Sequence, residues 1–128
     1  MAKIENNTSN TKKIMVVDDE TDVISVLEIV LEENGFEVET FEDPIVALKS
    51  YRAGVYDLLI LDIKMPEMDG FELYDRIKKI DDNAKVCFLT ASEMYYMNSR
   101  KLDKDLLIQK PIANEDLVEE INKILSRV

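Results

Sequence analysis

Short apolar runs alternate along this chain with segments in which apolar residues recur every three or four positions, and few folds accommodate that pattern. Ile14 to Val17 precedes Val23, Val26, Leu27 and Val30, and Phe36 to Phe41 precedes Ile45, Leu48 and Tyr51. Leu58 to Leu61 precedes Phe71, Tyr74 and Ile77, Val86 to Leu89 precedes a less regular stretch, and Leu106 to Ile108 precedes Leu117, Val118, Ile121, Ile124 and Leu125. A compact apolar run reads as a buried strand and a three-to-four spacing as one face of a helix. Five strand-helix units fit. Four of the runs are unbroken, as in parallel strands buried on both faces, whereas FEVETF partly alternates and suits a sheet edge. The expected architecture is α/β, a doubly wound parallel sheet with helices on both faces.

Punctuation residues support these boundaries. Gly35 stands where the first helix should stop, and Asp43-Pro44 reads as an N-cap with proline in the first turn. Asn114, followed by Glu115 and Asp116 and with Arg127 near the end, suits the last helix and its dipole. Residues 1–11 are polar and aperiodic and read as a flexible tail, with one folded domain over 12–128. The weakest segment is Ser92 to Asp105, where Met94, Tyr95, Tyr96 and Met97 are contiguous rather than periodic.

Composition closes off several chemistries. The chain contains no histidine, which excludes Ser-His-Asp hydrolysis, Cys-His nucleophiles and histidine-rich zinc sites. Its net charge of −11 argues against direct nucleic-acid binding, because affinity for phosphate backbones comes from clustered Lys and Arg. No apolar run approaches the roughly 20 residues that span a bilayer, and the N-terminus lacks the apolar stretch of a secretory signal. A single cysteine, Cys87, cannot form an internal disulfide and lies in the apolar VCFL run, where a core thiol is the plain reading. A cytoplasmic location follows as an expectation, and the Asn7-Thr8-Ser9 acceptor motif is then a chance match.

In an open parallel sheet, ligands bind beyond the carboxyl ends of the strands. Here those ends are polar: the first run closes on Asp18-Asp19-Glu20, the third on Asp62, the fourth on Thr90 and the fifth on Lys110 before Pro111. Strands packed side by side bring these residues together. Two carboxylates about 4 Å apart repel by about 4 kcal/mol at an effective dielectric of about 20, so the crevice calls for a cation. Oxygen ligands, few of them direct carboxylates, favour Mg²⁺ over Ca²⁺. Lys110 can then grip a phosphate oxygen and the Thr90 hydroxyl another, with Ala91 leaving space beside it. A carboxylate next to Mg²⁺ can act as nucleophile in phosphoryl transfer, and Asp62, closing the middle strand, is the central candidate. Taken singly, each residue has a plain reading, since aspartates at strand ends commonly form turns. Their joint order and placement favour the chemical one.

The segments VVDDE, LLILDIKMPEMDGFEL, FLTA and QKP, in that order, closely resemble the response-regulator receiver domains of two-component signalling, over about residues 12–128. The resemblance implies a flavodoxin-like sheet of order 2-1-3-4-5 and a signalling role rather than an enzyme's. Asp62 then matches the phosphoacceptor, Asp18 and Asp19 the metal-binding acidic pair, Thr90 the switch hydroxyl and Lys110 the phosphate-binding lysine, while Lys64 offers its backbone carbonyl to Mg²⁺. The Lys64 side chain occupies a position that in this family tunes phosphate lifetime. Pro111 is expected after a cis bond, and Gly70 in the turn following the phosphorylation loop. The implied partners are a histidine kinase or phosphotransfer protein as phosphodonor and an unidentified downstream protein; a phosphorylation-linked homodimer through the last two helices is left open.

Two departures stand out. The aromatic usual three residues before the lysine is Leu107 here, and the stretch from Thr90 to Lys110 is short and lacks Gly-Ala. Tyr95 or Tyr96 is then the candidate substitute reporter of the switch, the plain alternative being that these residues simply pack. Among competing readings, an aspartyl phosphatase needs a second carboxylate where Lys64 stands. A flavin binder needs a Gly, Ser and Thr loop where Asp18-Asp19-Glu20 stands. The serious alternative is a receiver-like interaction module that does not switch by phosphorylation, supported by Leu107.

Overall fold

The computed structural model describes residues 11–91, 107–110 and 114–126. All of the expected tail (residues 1–11) except Thr11, the segment with Tyr95 and Tyr96, and Pro111 lie outside the described residues. In chain order the elements are β1 (Lys13–Val17), α1 (Thr21–Glu33), β2 (Glu37–Phe41), α2 (Pro44–Ser50), β3 (Leu58–Asp62), α3 (Gly70–Ile80), β4 (Val86–Thr90), β5 (Leu107–Gln109) and α4 (Asn114–Leu125). The strands form one parallel sheet in the order β2-β1-β3-β4-β5, as expected.

Alternate residues of each strand face opposite sides, so a strand with no polar position serves two cores at once. Met15, Val17, Leu59, Leu61, Val86 and Phe88 pack beneath α2 and α3 against Ala47, Phe71, Leu73 and Ile77. Their neighbours Ile14, Val16, Leu58, Ile60, Cys87 and Leu89 pack on the other face against Leu27, Val30 and Leu31 of α1 and Leu117, Ile121 and Ile124 of α4. Burial pushes the Cys87 thiol up to about 12, which suits the core reading. β2 alternates exposed Glu37 and Glu39 with half-buried Val38 and Thr40, the edge behaviour its sequence suggested.

The helix ends follow local chemistry. Gly35 takes φ +90°, and the N–H groups of Gly35 and Phe36 reach back to the carbonyls of Glu32 and Leu31, closing α1 with a left-handed residue that glycine adopts without cost. Asp43 accepts the Ile45 N–H at 2.9 Å with Pro44 in the first turn of α2. Asp69, not singled out in the sequence, caps α3 by accepting the Glu72 N–H at 2.8 Å. Among the described residues no helix is long and apolar enough to cross a membrane.

Candidate functional site

The register of the sheet makes the strand ends flush. Val17 pairs with Leu61, which puts Asp18 beside Asp62, and Asp62 pairs with Leu89, which puts Thr90 one residue further on; Thr90 pairs with Gln109, and Lys110 follows. These ends open into a cleft of about 480 Å³ lined by Asp19, Glu20, Asp62, Lys64, Ala91 and Lys110 among others. The structure therefore brings Asp18, Asp19, Asp62, Lys64 and Lys110 to one place. For Thr90 it gives the backbone at the end of β4, and the hydroxyl lies outside what is described.

Asp18 is fully buried and Asp62 is 5% exposed, whereas Asp19 projects into solvent. One carboxylate oxygen from each of the three lies within 4.8 Å of the others. Asp18 Oδ1 accepts the Glu20 N–H at 2.9 Å. Asp18 Oδ2 is paired with the Lys110 ammonium at 2.9 Å. Three carboxylates converging this closely, two of them buried, suit a hard divalent cation.

The electrostatics agree with that crowding. Burial pushes Asp62 up to about 7, the charge of Asp18 adds to the rise, and Lys110 opposes it. Burial also raises Asp18, against the Glu20 N–H and the Lys110 charge. Burial disfavours the Lys110 ammonium, but its contacts with Glu20 and Asp18 outweigh that cost and hold the lysine above its ordinary value. The lysine is 2.7 Å from Glu20 Oε1 and 3.6 Å from Asp62 Oδ1. Glu20 had received no separate role in the sequence; the available signal was a glutamate at a helix start, where Ser, Thr, Asp or Asn is preferred.

The loop after β3 holds Asp62 in place from behind. The Gly70 N–H reaches the Ile63 carbonyl at 2.8 Å, and a Cβ on Gly70 would collide with the Asp62 carbonyl oxygen and come within 3.0 Å of Ile63 Cα. Gly70 is thus needed for space, at the first position of α3. The left-handed residue of this loop is Glu67, at φ 69°. Leu107, where an aromatic was expected, is half-buried, pairs with Phe88 and packs on the α2–α3 side of the sheet.

Comparison with known proteins matches the response regulator receiver domain family to residues 14–122. The response regulator receiver protein CpdR of Brucella abortus is 34% identical over 119 residues, covering 89% of this chain and 97% of that protein. The transcriptional regulatory protein PrrA of Mycobacterium tuberculosis is 33% identical over 117 residues, covering 90% of this chain; the chain spans 50% of PrrA, about half the length of such relatives. Among solved structures, the response regulator protein TrrA of Thermotoga maritima in complex with Mg(2+)-BeF is 36% identical with a TM-score of 0.75, covering 89% of this chain and 99% of that one. Receiver domains are signalling modules whose general role is a phosphorylation switch, and they bind Mg²⁺ at an acidic site. A match that runs from β1 into α4, over a sheet of the same order, leaves one assignment: this chain belongs to the response regulator receiver domain family.

Proposed function

We propose that this chain is a signalling switch in which Asp62 accepts a phosphoryl group from a phosphohistidine on a histidine kinase or phosphotransfer protein. The observation that carries the reading is the setting of Asp62: at the carboxyl end of the central strand, with oxygens of Asp18 and Asp19 within 4.8 Å and the Lys110 ammonium 3.6 Å away. Asp18, Asp19, Asp62 and the Lys64 carbonyl would hold Mg²⁺, whose charge, when bound, offsets that of the transferred oxygens. The complex of TrrA with Mg(2+)-BeF supports such a site here.

A carboxylate oxygen of Asp62 forms a bond to phosphorus as the bond from phosphorus to the donor's imidazole nitrogen breaks, and the nitrogen keeps the electron pair. Lys110 neutralises one phosphoryl oxygen, and Thr90, one residue past the pairing partner of Asp62, is the hydroxyl assigned to another. The site thereby goes from a charge near −1 to one near −2, which shifts the balance between two conformations of the domain and so its fit to a downstream protein. Because Leu107 stands in the usual aromatic position, the readout runs through other residues.

The test is to incubate the protein with Mg²⁺ and a small acyl phosphate and to read its intact mass. A single phosphoryl increment that is lost in Asp62→Asn and in the presence of a chelator is the expected result. No increment in the unaltered protein would refute the reading and favour an interaction module that does not switch.

A further inference from the structure

Glu20 occupies the N-cap of α1 in an extended conformation, φ −98° and ψ 110°, and its side chain caps nothing. Its backbone N–H is held by Asp18 Oδ1, and its carboxylate instead crosses the cleft to Lys110, 90 positions away in sequence, at 2.7 Å. The residue therefore forgoes a helix cap for contact with the lysine. Among the described residues Lys110 has three carboxylate partners, and that contact is the shortest: Asp18 is at 2.9 Å and Asp62 at 3.6 Å. Glu20 also differs from the other two in being 60% exposed at its side chain, so it can swing into water when it loses the lysine, whereas Asp18 and Asp62 are buried.

We infer that Glu20 is a positioning residue that draws Lys110 away from Asp62 in the resting protein and releases it when phosphoryl oxygens arrive, so that its carboxylate biases the switch toward the unphosphorylated state. The inference rests on the reading of Asp62 as phosphoacceptor. An oxygen set with charge near −2 on Asp62 competes with a single exposed carboxylate for one ammonium, and the resting hold of Glu20 sets how hard that competition is.

The experiment uses Glu20→Gln, which keeps the shape and removes the charge, and Glu20→Ser, which removes the charge and supplies a preferred cap. Glu42→Gln is the charge control. Glu42 follows β2 at the same end of the sheet and accepts from Thr21 Oγ1 at 3.2 Å rather than from Lys110. Two readouts are taken: the Lys110 ammonium resonance by NMR, assigned by its loss in Lys110→Met, and the phosphorylated fraction at limiting acyl phosphate with Mg²⁺.

Both Glu20 variants are expected to shift the Lys110 resonance and to raise the phosphorylated fraction about two- to fivefold, the range for losing one partly exposed ion pair. Glu20→Ser should do so with an undiminished thermal midpoint, which separates release of the lysine from damage to α1. A Lys110 resonance unmoved in Glu20→Gln overturns the inference, as does an equal gain in Glu42→Gln. If the unaltered protein takes no phosphoryl group, the phosphoacceptor reading fails, and the resonance still decides whether Glu20 holds the lysine.

Discussion

Replacing Gly70 with alanine tests whether helix propensity or close packing governs the loop behind Asp62. Gly70 is the first residue of α3, and by propensity alone alanine stabilises a helix interior by up to about 1 kcal/mol, less at a first position. The structure opposes that gain. The new Cβ meets backbone on both sides of the Asp62–Ile63 peptide, which cannot rotate away as a flexible side chain would, and the Gly70 N–H is already committed to the Ile63 carbonyl at 2.8 Å. Overpacking of this kind costs about 1–3 kcal/mol, so the net effect is a loss of about 1–2 kcal/mol. With a slope of roughly 2 kcal/mol per molar urea, the unfolding midpoint should fall by about 0.5–1 M. Because the displaced backbone carries the proposed phosphoacceptor, acyl-phosphate labelling of Asp62 should slow as well. Gly54 provides the contrast: it has φ +82° and nothing within 4 Å of a built Cβ, so Gly54→Ala costs stability through conformation alone and leaves labelling unchanged. A Gly70→Ala protein as stable as the parent, or more so, refutes the packing argument.

Two further outcomes follow from the same geometry. Mg²⁺ should stabilise the protein against heat, by about 2.7 kcal/mol at 100 times its dissociation constant, and Asp18→Asn should abolish most of that gain; a midpoint indifferent to Mg²⁺ would contradict the cation site. Asp81, at the end of α3, accepts the Tyr51 hydroxyl at 2.7 Å, and this bond above all holds its carboxyl below the usual range. The folded carboxylate thus binds a proton less readily than the unfolded one, so its contribution is complete above about pH 4 and is lost as acid titrates it through its lower folded value. The gap in urea midpoint between the parent and Asp81→Asn should accordingly be wide near neutrality and narrow as the pH falls through the acid range; a gap that widens in acid would show the sign to be wrong.

How much of this was legible beforehand differs from residue to residue. The caps at Asp43 and Gly35 could be read because each is satisfied by backbone within a few positions, Asp43 by Ile45 and Gly35 by Glu32. Cys87 could be placed in the core because its neighbours in the run are all apolar. Gly70 was placed in the turn after this loop, but the reason a glycine is needed there was not legible. Its tight approach is to the Asp62 carbonyl, eight positions back across a loop whose path a string of letters does not specify. The clasp from Tyr51 to Asp81, which ties the end of α2 to the end of α3, left no sequence signal, because a tyrosine and an aspartate 30 positions apart form no recognisable pattern.

By itself the sequence determined the alternation of strand and helix, the two-faced burial of the central strands and the gathering of acidic residues and a lysine at the strand ends, since each follows from local chemistry repeated along the chain. Resemblance to a family added the sheet order and the roles proposed for Asp62, Asp18, Asp19, Thr90 and Lys110. Only the tertiary structure decided which carboxylate holds Lys110 most closely, which of the three aspartates is fully buried, and why Gly70 tolerates no side chain. Those outcomes depend on differences of less than 1 Å between groups as many as 90 residues apart, and such distances are set by the register of the sheet and the seating of its loops.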